Sequence, residues 1–301
     1  MAALRDRAGF FTPAPECSTV AGMVNSLSTR EVAEAPARPE AMRRAGRVII
    51  RWTEDVRGMG AFLLITLGVA LSKSNTARAV IRPAIRAQVV RAGVDLLPMV
   101  AFLACALGLA VIGQTVFLLN RFGAENYAGM VMVTVVVREL GPIVAALLVM
   151  ARVGAANVVE LGTARALGAV EALDALGIDP IHYLVVPRVI GLALAIFSLT
   201  IYLIFIALVS GYLFAFIEQV PLEPGKYFAQ LADALLWQDF VLLALKTVCY
   251  GMLIAIITCY QGLAAPLRLD EVSRATTKAI AKCVVGMVLL DAVFIVVYLV
   301  V

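Results

Sequence analysis

Charge is scarce in this sequence, and histidine scarcer still. Only 15% of the 301 residues are Asp, Glu, Lys or Arg, where soluble domains carry about 25%. That is too little polar surface to coat a globule in water. The one histidine, His182, has no Cys or acidic neighbour at ligand spacing, which argues for an interfacial side chain and against an imidazole metal centre. No stretch reads G-x-x-x-x-G-K-[ST]. The single Gly-Lys pair, Gly225-Lys226, is followed by Tyr, so the chain does not bind ATP through a P-loop. Cys17, Cys105, Cys249, Cys259 and Cys283 form no CxxC pair, and four of them sit in or beside apolar runs as small hydrophobes. Neither a disulfide framework nor a thiolate metal site is expected. No nucleophile stands beside a base, which argues against an intramembrane enzyme, and nothing points to nucleic acid.

What the chain does have is hydrocarbon: 62% of residues are hydrophobic and the mean hydropathy is +0.95. A helix needs roughly 20 apolar residues to cross about 30 Å of lipid. Five runs qualify, at about 96–119, 130–152, 187–217, 240–261 and 279–301. The third is long enough for one tilted span or a re-entrant pair. The run 58–72 reaches only about 22 Å at 1.5 Å per residue, and arginines and a lysine flank it on both sides. It reads as part of a helix lying in the interface, over about 57–92. Residues 1–45 show no apolar period and no signal-peptide core, and are expected to be a disordered tail, unless translation starts at Met23 or Met42. The expected fold is therefore an all-α integral membrane protein, with an amino-terminal interfacial helix and five transmembrane helices across 46–301.

Basic residues set the orientation. Of 25 Lys and Arg, 14 precede Leu96, whereas 120–129 has only Arg121 and 218–239 only Lys226; 262–278 has Arg268, Arg274 and Lys278. The bias puts the amino end and the 153–186 connection in the cytoplasm and the carboxyl end outside, an alternation that five spans satisfy and four do not.

Charges inside the apolar runs are costly unless paired or hydrated. "VVVRELGPIVAALLVMARVG" puts Arg138 and Glu139 in the second span. Adjacent residues diverge by about 100° on a helix, so both are not expected to face one partner helix squarely. Pro142 frees the carbonyl of Arg138, which then needs a partner or a cavity. A structural ion pair and the polar floor of a substrate cavity are equally open. Lys246, near the outer end of the fourth span, is expected to snorkel to the interface. The small residues around 152–168 and 191–195 suit close helix contact.

On the cytoplasmic side, "GAVEALDALGIDPIHYLVVPR" predicts a helix of about three turns over 165–177. Leu167, Val170, Leu173 and Leu176 form an apolar stripe flanked by Glu171 and Asp174. Gly177 suits a C-cap, and Asp179-Pro180 an N-cap followed by a first turn. Such a helix can fill a partner's groove or pack on its own bundle.

Three separated motifs, "RELGPIVAALLVMARVGAANVVELGT", "EALDALGIDPIHYLVVPR" and "EVSRATTKAI", together resemble the MlaE (YrbE) family of ABC-transporter permeases that work with MCE-domain proteins. The likeness runs from about Trp52 to Val301. It implies a homodimeric permease of the bacterial inner membrane with a cytoplasmic coupling helix between spans two and three and a short outer helix between three and four. It further implies a cytoplasmic ABC ATPase as partner, which holds ATP and Mg while this chain holds no cofactor. An MCE-domain protein would sit on the outer side, and phospholipid or a related lipid would be the cargo. By resemblance, Glu171, Leu173, Asp174, Leu176, Gly177 and Asp179 would dock the ATPase. Arg138, Glu139 and Leu140 match the R-E-L-G-P motif near the lipid pocket, and Leu118, Leu119 and Phe122 lie at the outer end of span one, where acyl tails would rest. Ala151 and Ala164 stand where the family often has Gly and Met, which leaves substrate preference open. Two rival readings are an ion-coupled secondary transporter using Glu139, for which no internal repeat is found, and a non-transporting membrane scaffold.

Overall fold

The computed structural model describes residues 40–72, 78–123, 128–217, 224–263 and 271–300. Residues 1–39 of the expected tail lie outside that set, whereas residues 40–45 are already helical. The chain divides into two compact units, Met1–Val56 and Arg57–Val301. Of the first, the described residues are the opening turns of α1 (Glu40–Ser72).

The described residues are 94% helical and include no strand. Five helices are long and apolar enough to cross a membrane: Ile81–Val111, Gly129–Ala166, Ile181–Leu213, Trp237–Leu263 and Val272–Tyr298. They are called the first to fifth spans below. The expected interfacial helix is instead two helices, the second half of α1 and α2 (Arg78–Ala92). A single 3-10 turn, Val94–Leu96, links α2 to α3 (Leu97–Leu107), so the apolar helix begins at Ile81 rather than near 96. Pro98 fits there because the first turn of a helix has no intrahelical acceptor for its missing N–H.

The remaining helices are α4 (Gln114–Arg121), α5 (Ala128–Met132), α6 (Gly141–Val149), α7 (Ala155–Ala166), α8 (Ala169–Ala175), α9 (Val186–Ile217), α10 (Pro224–Ala234), α11 (Trp237–Leu263) and α12 (Val272–Val300). π-helical turns interrupt them at Gly108–Gly113, Val133–Leu140, Met150–Gly154 and Ile181–Val185. The run in question for a re-entrant pair is one continuous helix, α9.

The third span is central to the core, and small residues make that possible. A Cβ on Gly251 would lie 2.4 Å from the Cα of Ala193, and one on Gly108 2.3 Å from the carbonyl oxygen of Ala207. Backbones this close leave room only for hydrogen. Leu192, Ile196, Leu199 and Leu203 of α9 are buried against Val100, Ala146, Val149 and Ile254 from the other spans. Thr200, Thr247 and Thr258 satisfy their hydroxyls on carbonyls four residues earlier in their own helices. The outward faces carry Phe102, Phe205, Phe216, Val288 and Val296 in the open, as expected where lipid is the solvent. Between the third and fourth spans, α10 packs by Tyr227, whose hydroxyl donates to the carbonyl of Leu208 at 3.2 Å.

Candidate functional site

The connection between the second and third spans is built by its punctuation. The predicted 165–177 helix is broken in two: α7 ends at Ala166, and α8 starts after Gly168, which has φ 75°. A side chain there would be strained by about 1 kcal/mol or more, so the apolar stripe that crosses Gly168 in sequence does not cross it as one helix. At the far end Gly177 has φ 73°. Its N–H donates to the carbonyl of Asp174 at 2.9 Å, and that of Ile178 to Leu173 at 3.0 Å. This paired closure ends a helix when the residue after the cap is left-handed. Asp179 then caps the next helix, its Oδ1 accepting from the N–H of Ile181 at 3.0 Å, and Pro180 occupies the first turn. Between these stops, α8 is only seven residues long and buries none of them. Leu167 is 71% and Leu176 75% exposed, with Ile178 also in the open. Glu171 and Asp174 are exposed beside them, Glu171 4.0 Å from Nε of Arg165, and Leu173 is half-buried.

Just above this segment, Glu160 of the second span accepts from Arg188 of the third at 3.1 Å and pairs through its other oxygen with Arg91 of α2.

About 33 Å of helix from Glu160 at 1.5 Å per residue, Arg138 and Glu139 lie in the π-helical stretch that follows α5 near the start of the second span. The expectation that they diverge from one partner is overturned, because both pair with the fourth span. Arg138 holds Asp239 side-on, Nη2 donating to Oδ2 at 3.1 Å with Nε 2.9 Å from Oδ1. Glu139 accepts from Lys246 Nζ at 2.8 Å. Asp239 and Lys246 are seven residues, hence about 10 Å, apart on one helix face, and the two long side chains reach different rungs of it. The carbonyl that Pro142 frees finds its partner here: Lys246 Nζ donates to Arg138 O at 3.0 Å. Lys246 does not snorkel. It is fully buried, and its third contact is Asp291 Oδ1 of the fifth span at 2.6 Å. The same oxygen accepts from the Tyr250 hydroxyl at 2.7 Å, and the Tyr298 ring lies under the Arg138 guanidinium at 5.3 Å. Three spans are thus joined by two cations and three carboxylates. Arg138 Nε, 2.9 Å from Asp239, makes an ion pair without a well-aligned hydrogen bond, while Lys246 Nζ is held by two carboxylates and a carbonyl, and contacts of this kind tie the three helices together.

Arg138 also forms part of the wall of a cavity of about 410 Å³ with Met130, Val133, Thr134, Gln230 and Asp233, beneath α10. Leu140 follows the pair, half-buried. Leu118 and Phe122 are exposed at the end of α4, and Leu119 packs on the main core, on a different element from the ion network. Asp239, Asp291 and Tyr250 were not singled out from the sequence. An acidic residue inside the last apolar run was a sufficient signal for Asp291. Asp239 looked like a loop charge because it stands at the first turn of its helix.

A helical body with five helices long and apolar enough to cross a membrane, and charges buried between them, is that of a multi-pass membrane protein. The chain belongs to the MlaE permease family: the model described as "Permease MlaE" matches residues 85–297. A probable ABC transporter permease protein of Rickettsia prowazekii is 32% identical over 235 residues, covering 78% of this chain and 88% of that protein. The intermembrane phospholipid transport system permease protein MlaE of Haemophilus influenzae is 26% identical over 180 residues, covering 60% and 67%. The chloroplastic protein trigalactosyldiacylglycerol 1 of Arabidopsis thaliana is 30% identical over 191 residues, covering 62% and 53%. The chain is accordingly a permease of an ABC transporter.

Proposed function

We propose that this permease moves phospholipid or a closely related lipid between the inner membrane and an MCE-domain protein on its outer side, driven by a separate cytoplasmic ABC ATPase that carries the ATP and Mg. The observation that carries the reading is the α8 segment. Leu167, Leu176 and Ile178 are exposed on the turns that bound this short helix, which two left-handed glycines and the Asp179 cap fix at its ends. Exposed apolar side chains at both ends of a short helix are what a partner's groove takes up. The positive-inside bias puts this segment in the cytoplasm, with the amino end inside and the carboxyl end outside.

Two copies enclose a lipid cavity open to the outer side, with Arg138, Glu139 and Leu140 near its polar floor and Leu118, Leu119 and Phe122 along the path of the tails. Closure of the ATPase on ATP pushes the 167–179 segment, and the bundle responds by narrowing the cavity. Lipid affinity must differ between the open and narrowed states, since equal affinity drives nothing. The H. influenzae relative, named for phospholipid transport, supports this cargo. The test is co-purification: Glu171→Ala with Asp174→Ala leaves a folded permease that no longer retains the ATPase. Undiminished retention overturns the coupling assignment.

A further inference from the structure

A second amphipathic cavity lies away from both regions. At the start of the third span, His182, Val186, Ile190 and Leu194 recur every fourth residue and so form one ridge of the helix. The helices α2 and α1 face this ridge and leave two cavities on it. The first, of about 340 Å³, is bounded by Arg82, Ile81, Ile85 and His182, with Ala70, Val186 and Ile190. The second, of about 260 Å³, shares those last three residues and continues along Leu63, Leu67, Leu194 and Met252.

The two differ sharply in chemistry. In the first, Arg82 has no acidic partner among the described residues, and both ring nitrogens of His182 are shielded from solvent without a hydrogen-bond partner. A shielded, unsatisfied nitrogen calls for a ligand. The second is walled by hydrocarbon. Its one polar side chain, Thr66, already donates its hydroxyl to the carbonyl of Phe62 at 2.8 Å. Water has no partners there. The ridge from His182 to Leu194 is about 18 Å long, it lies inside a helix apolar enough to cross the membrane, and the polar end is at the span's boundary.

We infer that this slot binds one anionic phospholipid, its phosphate held by Arg82 and His182 and one acyl chain laid along residues 186–194. The imidazole supplies an N–H donor in either protonation state. No carboxylate among the described residues lines either cavity to receive the ammonium of a zwitterionic headgroup, so net negative charge is selected. The site lies apart from the Arg138 cavity and from α8, and the inference does not rest on the transport reading.

The full-length chain, in nanodiscs of phosphatidylcholine with a minor fraction of phosphatidylglycerol bearing a photoactivatable acyl chain, tests it without any transport assay. Illumination labels peptides containing residues 63–70 or 186–194. Excess plain phosphatidylglycerol suppresses the label, while phosphatidylcholine and inorganic phosphate do not. Arg82→Gln and Ile190→Trp each lower the label about tenfold, the loss of one charge-assisted contact or of the tail's seat, with unfolding temperature unchanged. Should either variant fail to fold, labelling and competition on the unaltered chain decide alone. Label elsewhere, equal competition by phosphatidylcholine, competition by inorganic phosphate, or undiminished label in a folded variant overturns the proposal.

Discussion

Replacing Lys246 by Met removes a cation of similar length from a place where it has no access to water. Its Nζ lies 2.8 Å from Glu139 Oε2 and 2.6 Å from Asp291 Oδ1. At those separations and an effective dielectric of about 20, each attraction is about 6 kcal/mol before the cost of leaving water is subtracted. Breaking a buried pair from one side leaves the other charge stranded, and the net loss is about 3–5 kcal/mol. For a body of this size, about 2–4 °C per kcal/mol converts that to a fall of about 6–20 °C in unfolding temperature. Differential scanning fluorimetry of the purified permease in detergent measures it. The charge-matched variant, Lys246→Met with Glu139→Gln and Asp291→Asn, recovers most of the loss, because neutral groups of the same shape carry no stranded charge. A drop below about 2 °C for Lys246→Met would match an exposed pair, worth about 0–1 kcal/mol, and would refute burial of the ammonium. Failure of the triple variant to improve on the single one would refute stranded charge as the cause.

Other substitutions probe the packing and the turns. Gly251→Val forces a Cβ into the backbone of Ala193, which has no flexible end to yield; it costs more than about 3 kcal/mol and abolishes the folded peak in size exclusion, whereas Gly60→Ala, with nothing within 4 Å, leaves that peak unchanged. Asp179→Ala removes a helix cap worth about 1 kcal/mol, so amide exchange at Ile181 and His182 accelerates about fivefold in hydrogen–deuterium exchange. Burial pushes the Tyr227 phenol up to about 12, while an unfolded phenol titrates near 10. The folded state therefore holds that proton more tightly, and the stabilisation is whole below pH 10 and shrinks as pH rises through 12. Tyr227→Phe flattens the alkaline decline of unfolding temperature across that window.

The parts of the fold legible in the sequence are those that one-dimensional patterns determine. Apolar length marks membrane-crossing helices because hydrocarbon admits few alternatives, and Gly177, Asp179 and Pro180 mark a helix end and start because each fixes a backbone angle or a hydrogen bond locally. Pro142 even announces that the Arg138 carbonyl needs a partner. The identity of that partner was not legible, since Lys246 lies 108 residues on and a lysine near a span's end satisfies snorkelling equally well. Asp239 and Asp291 gain their meaning only when three helices bring them to Arg138 and Lys246. The break at Gly168 was hidden because Leu167 and Val170 keep a helical spacing across a residue whose own φ forbids the helix. Arg82 and His182 sit a hundred residues apart, and nothing short of the packed bundle puts them at one cavity.

Glu160 joins residues far apart along the chain, Arg91 ahead of the core of the first span and Arg188 early in the third. One carboxylate therefore fastens three helices at the level where α7 hands over to the Gly168 turn. Each of its two oxygens holds a different arginine, so none of the three helices shifts at this level without breaking a contact to another.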